Sequence, residues 1–291
     1  MIKKAVILAA GYGTRFLPST KAICKEMFPI VDKPAIAYVV EECIDSGITE
    51  ILIILGRNKH NIVNYFDKNI ELEECLRSTG KYQELNLIKP YPIRIYYTVQ
   101  ELMQGTAKAV EYAKEFCGVE PFALLFPDDI MVSSTPVTAQ LCSAYATTLC
   151  AIVGVQAVQR SQAIKYGIIK EGVKKGRFTQ ILDILEKPAP EQVEQEYPLT
   201  SLGRFVLPPE VFSYIAQTKP SPTGEYYLPD TIKLMAKSLG AYAYEFEGIR
   251  YDTGDKLGML KCNIEIALRR QDIGRELAKY LIELVKDNIE R

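Results

Sequence analysis

The order of hydrophobic and polar positions predicts alternating strands and helices in the first half of the chain. Residues 5–10 and 51–55 are continuous apolar runs followed by glycine, which is typical of parallel strands buried on both faces. Between them, residues 33–47 have a helical apolar period, with Pro34 near the start and Gly47 at the end. Strand, helix and strand in this order form a βαβ unit.

Later segments extend this pattern into a doubly wound α/β sheet. We predict strands at 93–100, 122–126, 150–158, 167–170 and 178–185, and helices at 105–116 and 135–147. After about residue 160, apolar and polar positions alternate more, as in 241–246, which favours antiparallel additions to the same sheet. Residues 257–289 have a helical pattern. No linker or repeat interrupts the chain, so a single domain with a helical tail is expected.

Composition and charge narrow the class of ligand. The 291 residues include 35 Lys and Arg against 36 Asp and Glu, so no global field favours nucleic acid or an anionic membrane. A small anion is the better hypothesis. The seven cysteines are an odd number without a Cys-x-x-Cys pair, which favours reduced, packed thiols. Nothing resembles a signal peptide or a membrane span, so a cytoplasmic location is expected.

A glycine-rich turn after the first strand has the chemistry of a phosphate loop. Gly11 and Gly13 let backbone N–H groups approach an anion, and Arg15 adds a fixed fork of donors. Phe16 occupies the place of the third glycine of a dinucleotide fingerprint, and no Walker loop is present. Ten residues beyond Arg15, Lys25 would face the same anion if the loop folds back. The alternatives are a tight turn without a ligand and a solvated surface lysine.

Carboxylates and a lysine follow two other predicted strands. Asp128 and Asp129 follow strand 122–126 after Pro127, at the edge where open α/β sheets bind ligands, and magnesium favours such oxygens. Glu186 and Lys187 follow strand 178–185 and suit a sugar phosphate. The alternatives are a turn or helix cap for the aspartates and an exposed ion-rich strand end for the second pair.

The single histidine argues against several kinds of catalysis. His60 lies after the second strand and is expected in a surface loop. Because a Ser-His-Asp or Cys-His mechanism would need this ring at the site, covalent hydrolysis is disfavoured. The loss of the other usual metal ligands also disfavours zinc.

Residues 9–18 and 25–34 closely resemble the start of the bacterial UTP:glucose-1-phosphate uridylyltransferases. The resemblance continues in the family's order through 127–130, 166–167, 186–188, 203–206, 223–225 and 244–258. It implies an α/β fold with a single Rossmann-like, doubly wound mixed sheet, antiparallel sugar-binding additions and a C-terminal helical tail. It also implies one nucleotidyltransferase domain over 1–291, with a nucleotide-binding half at about 1–130, a sugar-binding part at about 131–255 and C-terminal helices at about 256–291.

The resemblance further implies a role for individual residues. The nucleotide-binding residues would be Ala9, Ala10, Gly11, Gly13, Thr14, Gln100 and Gly105. The sugar-binding residues would be Gly167, Glu186 and Gly203, the catalytic cations Arg15, Lys25 and Lys187, and the ligands of Mg²⁺ Asp128 and Asp252. The amide of Gln100 carries a donor and an acceptor, which matches the imide edge of uracil.

The activity implied is magnesium-dependent transfer of a uridylyl group from UTP to glucose 1-phosphate. The alternatives are the same reaction with dTTP or another sugar 1-phosphate, and an inactive regulatory paralogue that binds nucleotide sugar. Departures from the family's usual residues at 105–109, 127 and 226–230 bear on the choice of base and sugar. The apolar residues of the tail, from Leu260 to Leu284, exceed one stripe, so a homodimer or homotetramer is expected.

Overall fold

Residues 2–289, the part of the chain that the computed structural model describes, are built around one mixed sheet of nine strands. The strands of the protein are β1 (Lys4–Ala9), β2 (Pro29–Ile30), β3 (Lys33–Pro34), β4 (Glu50–Leu55), β5 (Arg94–Val99), β6 (Phe122–Leu125), β7 (Asp129–Val132), β8 (Ala151–Ala157), β9 (Gly167–Lys175), β10 (Phe178–Glu186), β11 (Leu199–Leu207), β12 (Ala241–Glu245) and β13 (Ile249–Asp252). The order in the large sheet is β5-β4-β1-β6-β11-β8-β12-β10-β9.

Helices cover both faces of this sheet. The helices in residues 2–289 are α1 (Ala35–Asp45), α2 (His60–Phe66), α3 (Ile70–Ser78), α4 (Tyr82–Leu87), α5 (Thr106–Glu111), α6 (Lys114–Cys117), α7 (Val137–Thr148), α8 (Arg160–Ala163), α9 (Val211–Ile215), α10 (Leu228–Ser238), α11 (Lys256–Leu268) and α12 (Gly274–Ile289). One buried cluster lies under α1, α7 and α11, and a second lies under α5, α9 and α10. The sheet is therefore the middle of three layers.

The parallel part of the sheet agrees with the sequence prediction. β5, β4, β1 and β6 are parallel neighbours, and β1 and β4 are the two apolar runs. Isoleucines in both strands are fully buried because helices cover both faces. The predicted α/β class with a doubly wound mixed sheet and a helical C-terminus is confirmed.

The second half departs from prediction in two places. β9 and β10 pair antiparallel as expected. β12, predicted at 241–246 as an antiparallel addition, is parallel to β8 and antiparallel only to β10. β11 was not predicted, although it lies in the middle of the sheet between β6 and β8. It carries Gly203 with φ 45° and a register irregularity between Ser201 and Phe205, which hide its alternation.

Three smaller differences concern helices and a short ribbon. The helix predicted at 105–116 is divided into α5 and α6, and His60 begins α2 instead of lying in a loop, although it is exposed. β7 and β13 form a two-stranded ribbon that places Asp252 opposite Asp129. That ribbon is what brings the two predicted metal-binding segments together.

The predicted tail consists of α11 and α12. Met259, Cys262 and Ala267 of α11 are buried against the domain. A second stripe on the same helix, Leu257, Leu260, Ile264 and Leu268, is exposed. In the described part of the chain, no helix has the length and apolar character needed to span a bilayer.

Candidate active site

A cavity of about 400 Å³ opens at the carboxyl ends of the parallel strands, as the rule for open α/β sheets predicts. Twelve of the predicted site residues line it: Ala10, Gly11, Arg15, Lys25, Gln100, Gly105, Asp128, Gly167, Glu186, Lys187, Gly203 and Asp252. Ala9 is instead fully buried in β1, and Gly13 and Thr14 lie in the loop that follows without lining the cavity.

The loop after β1 folds back on itself, which brings Lys25 to the cavity. Gly13 has φ 67°, and a Cβ added there would lie 3.4 Å from the Lys25 Cβ. The Thr20 hydroxyl donates to the Gly13 carbonyl over 2.9 Å. Phe16 is buried edge-on against Phe28, with ring centroids 5.2 Å apart. Residues 11–27 therefore form a packed loop in which Gly13 leaves room for the stem of Lys25.

A buried ion pair fixes the segment that carries Lys25. Glu26 accepts from the Lys59 ammonium at 2.8 and 2.9 Å, and the two side chains are 1% and 7% exposed. Lys59 lies in the loop between β4 and α2. Because buried charges are stable only when each is closely paired, this contact fixes the second half of the loop after β1 against the sheet edge.

Lys25 and Asp128 form the central ion pair of the cavity. The Lys25 Nζ lies 2.5 Å from Asp128 Oδ2. Burial alone would raise the pKa of Asp128, but the Lys25 ammonium outweighs it and the pKa falls below its ordinary value. Burial likewise opposes the charge on Lys25, and Asp128 raises the pKa of the lysine above its ordinary value. Both groups are therefore charged at neutral pH.

Asp252 is held by different partners. The Tyr166 hydroxyl donates to Asp252 Oδ2, and Arg250 Nη2 lies 3.3 Å from the same oxygen. Arg250 also donates through Nε to Asp129 Oδ1 over 2.5 Å and stacks on the Tyr166 ring at 4.4 Å. Burial raises the pKa of Tyr166 to about 12, so the phenol remains a donor at neutral pH.

Asp128 and Asp252 each place an oxygen beside Gly254, an arrangement that suits a divalent cation shared by the two carboxylates. A Cβ added to Gly254 would lie 2.9 Å from Asp252 Oδ1 and 3.0 Å from Asp128 Oδ2, so the glycine keeps a side chain from coming between these oxygens. Thr253 donates its N–H and hydroxyl to the Asp128 carbonyl, at 2.7 and 2.8 Å, and joins the two segments. Among residues 2–289, no cluster of three or more His, Cys, Asp or Glu side chains suits a metal. Two carboxylates fit Mg²⁺, which takes its remaining ligands from water and phosphates.

Gly203 and Arg204 hold the turn that carries Asp128 and Asp129. A Cβ at Gly203 would lie 2.0 Å from Asp129 Oδ2, so only glycine fits there. Arg204 is 1% exposed, pairs with Glu42 of α1, and donates to the carbonyls of Phe126 and Asp129 at 3.1 and 2.8 Å. Gly203 therefore meets the carboxylate turn directly, and its contact with a sugar remains a prediction.

The predicted sugar site lies at the end of the β9–β10 hairpin, where Glu186 pairs with Gly167. A Cβ at Gly167 would lie 3.0 Å from Glu186 Oε2, so the glycine admits the carboxylate. Burial raises the pKa of Glu186, against the opposing effect of Lys187. Lys187, at φ 45°, places its ammonium 5.5 Å from the centre of the Tyr227 ring.

The predicted base side of the cavity contains the two segments that depart from the family's usual residues. Gln100 is 3% exposed and donates from Nε2 to the Leu102 carbonyl over 2.9 Å. Gly105 packs on the backbone of Tyr226, where a Cβ would lie 2.5 Å from the carbonyl oxygen. Ala107 N donates to that oxygen over 2.9 Å. The departures at 105–109 and 226–230 thus contact each other and form one wall.

Several residues of the site were missed from the sequence. They are Glu26, Lys59, Tyr166, Arg204 and Arg250. Arg204 could have been found, because an arginine within the apolar run 202–207 must have a buried partner. The pairing of Lys59 with Glu26 depends on tertiary contacts and has no local signal.

A comparison with models of known protein families assigns the chain to a family. The model of the family described as "Nucleotidyl transferase" matches residues 4–267. The chain belongs to the nucleotidyl transferase family. It is 44% identical to the UTP--glucose-1-phosphate uridylyltransferase YngB of Bacillus subtilis (strain 168), over 98% of this chain and 96% of that protein. It is 42% identical to UTP--glucose-1-phosphate uridylyltransferase 2 of Staphylococcus saprophyticus, over 97% and 98%. The family resemblance seen in the sequence is confirmed.

Solved structures agree with this relationship. A UDP-glucose pyrophosphorylase complexed with UDP-glucose has a TM-score of 0.82 and 36% identity, covering 93% of this nucleotidyl transferase and all of that chain. A UTP-bound UGPase from Acinetobacter baumannii has a TM-score of 0.88 and 33% identity, covering 98% and 100%.

Proposed function

We propose that the protein transfers a uridylyl group from UTP to glucose 1-phosphate, giving UDP-glucose and pyrophosphate. The observation that carries this proposal is a single cavity lined by three cations, Arg15, Lys25 and Lys187, and by the converging carboxylates Asp128 and Asp252. The relatives that match nearly the whole chain carry the same activity in their names. A phosphate oxygen of the sugar attacks the α-phosphorus of UTP in line, and pyrophosphate leaves.

The chain's own residues align the reactants and neutralise charge. The attacking phosphate is already ionised, so no general base is needed, and no covalent enzyme intermediate forms. Arg15 and Lys25 hold the leaving phosphates, and Lys187 holds the phosphate of the sugar. Such fixed donors favour the transition state because charge on the transferring and leaving groups develops where they stand.

Glu186 and Gln100 select the two substrates. The Glu186 carboxylate, at the end of β10, accepts from sugar hydroxyls. The Gln100 side-chain amide donates an N–H to the Leu102 carbonyl. This hydrogen bond fixes the amide and leaves its carbonyl oxygen as the acceptor for the base. That oxygen accepts from the imide N–H of uracil, a group that cytosine lacks.

Asp128 and Asp252 would hold Mg²⁺ through their facing oxygens. When bound there, the cation would supply the positive charge that neutralises the triphosphate and the departing pyrophosphate. The Thr253 hydrogen bonds and the Arg250 contacts keep the two carboxylates in position.

Pyrophosphate release across a grid of nucleoside triphosphates and sugar 1-phosphates tests the assignment. UTP with glucose 1-phosphate should give the highest kcat/KM. The highest kcat/KM with dTTP would instead favour the rival reaction. That rival is considered because a putative glucose-1-phosphate thymidylyltransferase from Bacillus anthracis also matches, with a TM-score of 0.70 and 25% identity. The absence of turnover with every pair would favour the inactive regulatory paralogue.

The tail supports a second proposal, that the enzyme is a homodimer or homotetramer. The exposed stripe Leu257, Leu260, Ile264 and Leu268 has the helical spacing of a packing face, on the side of α11 that faces away from the domain. Tyr280 and Ile282 add exposed apolar area on α12, at 58% and 57%. A second copy of this chain is the occupant proposed for this face, because an isologous contact covers the same patch on both subunits.

The cytoplasmic location and the division of the domain near residues 130 and 255 stay predictions.

A further inference from the structure

The ion pair between Lys25 and Asp128 joins two residues to which the proposed reaction gives separate tasks. The reaction assigns Lys25 to the triphosphate and Asp128 to the cation. In the structure these groups instead satisfy each other, with Nζ 2.5 Å from Oδ2. Either residue can take up its task only after the pair has separated.

We propose that Lys25 is an internal counter-ion that excludes the divalent cation from Asp128 until a triphosphate draws the lysine away. This inference rests on the proposed function. It means that nucleotide and metal bind cooperatively, and that the protein without nucleotide binds divalent cations weakly.

Electrostatics supports the exclusion. The Oδ2 atom that Lys25 contacts is also the Asp128 oxygen that lies beside Gly254, across from Asp252 Oδ1. A cation shared by the two carboxylates through these oxygens would therefore stand a few ångströms from the ammonium, and like charges at such a distance repel strongly in a partly buried site. Asp252 does not present the same obstacle, because one of its partners is the neutral Tyr166 and the other, Arg250, has Asp129 as a further acceptor.

Lys25 also cannot simply be released without a new partner. Its side chain is 18% exposed, and its neighbour Glu26 is already paired with Lys59. An unpaired ammonium in such a place is costly, so the ion pair persists until another anion arrives. The β- and γ-phosphates of a bound triphosphate are anions of the required kind, and they also add ligands for the cation.

Manganese binding to the nucleotide-free protein tests the exclusion directly. Free Mn²⁺ is measured by electron paramagnetic resonance during titration, without any activity readout. Lys25→Met and Lys25→Gln should bind Mn²⁺ about tenfold more tightly than the wild type, because the repelling charge is gone. The double variant Lys25→Met/Asp128→Asn should lose this gain. Lys21→Met, which removes a charge from an exposed position of the same loop, should bind Mn²⁺ as the wild type does.

Circular dichroism and thermal melting establish that each variant is folded. The Gln variant retains a polar head that can donate to Asp128, so it keeps the test open if the Met variant unfolds. Unchanged Mn²⁺ affinity in a folded Lys25 variant would overturn the proposal. A gain of equal size in Lys21→Met would also overturn it, since the Mn²⁺ affinity would then depend on the net charge of the loop and not on the position of Lys25.

UTP binding in EDTA, measured by calorimetry, tests the release of Lys25. Asp128→Asn frees Lys25, whereas Asp252→Asn removes the same charge and leaves the pair intact. Asp128→Asn should therefore tighten UTP binding several-fold more than Asp252→Asn, and equal changes would contradict the release step. If no variant bound UTP with or without magnesium, the proposed function would fail, while the Mn²⁺ comparison would still decide whether Lys25 shields Asp128.

Discussion

Arg204 Nη2 lies 2.7 Å from Glu42 Oε2, with both side chains almost fully buried between α1 and β11. Because Arg204 also donates to the carbonyls of Phe126 and Asp129, this pair supports the turn that carries Asp128. We expect Glu42→Gln to lower the free energy of unfolding by about 3 kcal/mol, since it leaves a buried guanidinium without its counter-charge. Urea denaturation measures the change.

The matched control is an exposed pair of similar length. Arg94 Nη2 lies 2.6 Å from Glu50 Oε1, but the arginine is 68% exposed. Arg94→Met should cost less than about 1 kcal/mol. Equal losses for Glu42→Gln and Arg94→Met would show that burial of the first pair adds nothing.

Arg15 is exposed in the loop after β1, where it lines the cavity. Arg15→Ala should lower kcat about a hundredfold or more, because one fixed donor to the leaving pyrophosphate is lost. The melting temperature should barely change, since the side chain is on the surface. Steady-state kinetics with UTP and glucose 1-phosphate provide the measurement, and a near-normal kcat in a folded variant would remove Arg15 from the mechanism.

The contrast between Arg15 and Arg204 shows how far the sequence could predict the site. Arg15 was found because a glycine-rich turn and a cation are adjacent in the chain, so the signal is local. Arg204 was missed together with its strand, because Gly203 and a register irregularity break the alternation of β11. Its partners Glu42 and Asp129 are 162 and 75 residues away. Strand periodicity and turn chemistry therefore predicted the edge of the sheet, whereas long-range ion pairs required the fold.

Glu186 should make sugar binding sensitive to acid. Burial raises its pKa, so this carboxyl takes up a proton at a higher pH than an ordinary glutamate as the pH falls. The protonated group loses acceptor capacity for sugar hydroxyls, and the KM for glucose 1-phosphate should rise on the acid side of neutrality. Glu186→Gln is neutral at every pH, so its KM for glucose 1-phosphate should be high and should lack the rise that protonation of Glu186 causes. The same pH dependence in both proteins would assign it to the substrate's own phosphate.

The exposed stripe on α11 should determine the oligomeric state. Light scattering at micromolar concentration should give a dimer or tetramer for the wild type and a smaller species for Leu260→Glu, because a charge would be buried in the contact. Val173→Glu on β9 is the control, since Val173 is 76% exposed and lies on a different element. A monomeric wild type would show that the tail packs only on its own domain.

The metal site gives the most demanding test of the two carboxylates. Activity should vanish in EDTA and return with magnesium. Asp128→Asn keeps the size of the side chain and removes its charge, so at saturating UTP it should lose turnover about a hundredfold or more across a magnesium titration. Asp252→Asn should lose as much or less, because Tyr166 and Arg250 continue to hold that segment.

Asp255→Asn separates this role from that of an ordinary helix cap. Asp255 accepts from Gly258 N over 2.9 Å at the start of α11. Asparagine caps a helix about as well as aspartate does, so this variant should keep its turnover and its magnesium dependence. If Asp128→Asn behaves like Asp255→Asn, the carboxylate of Asp128 serves only the turn, and the triphosphate alone must hold the cation.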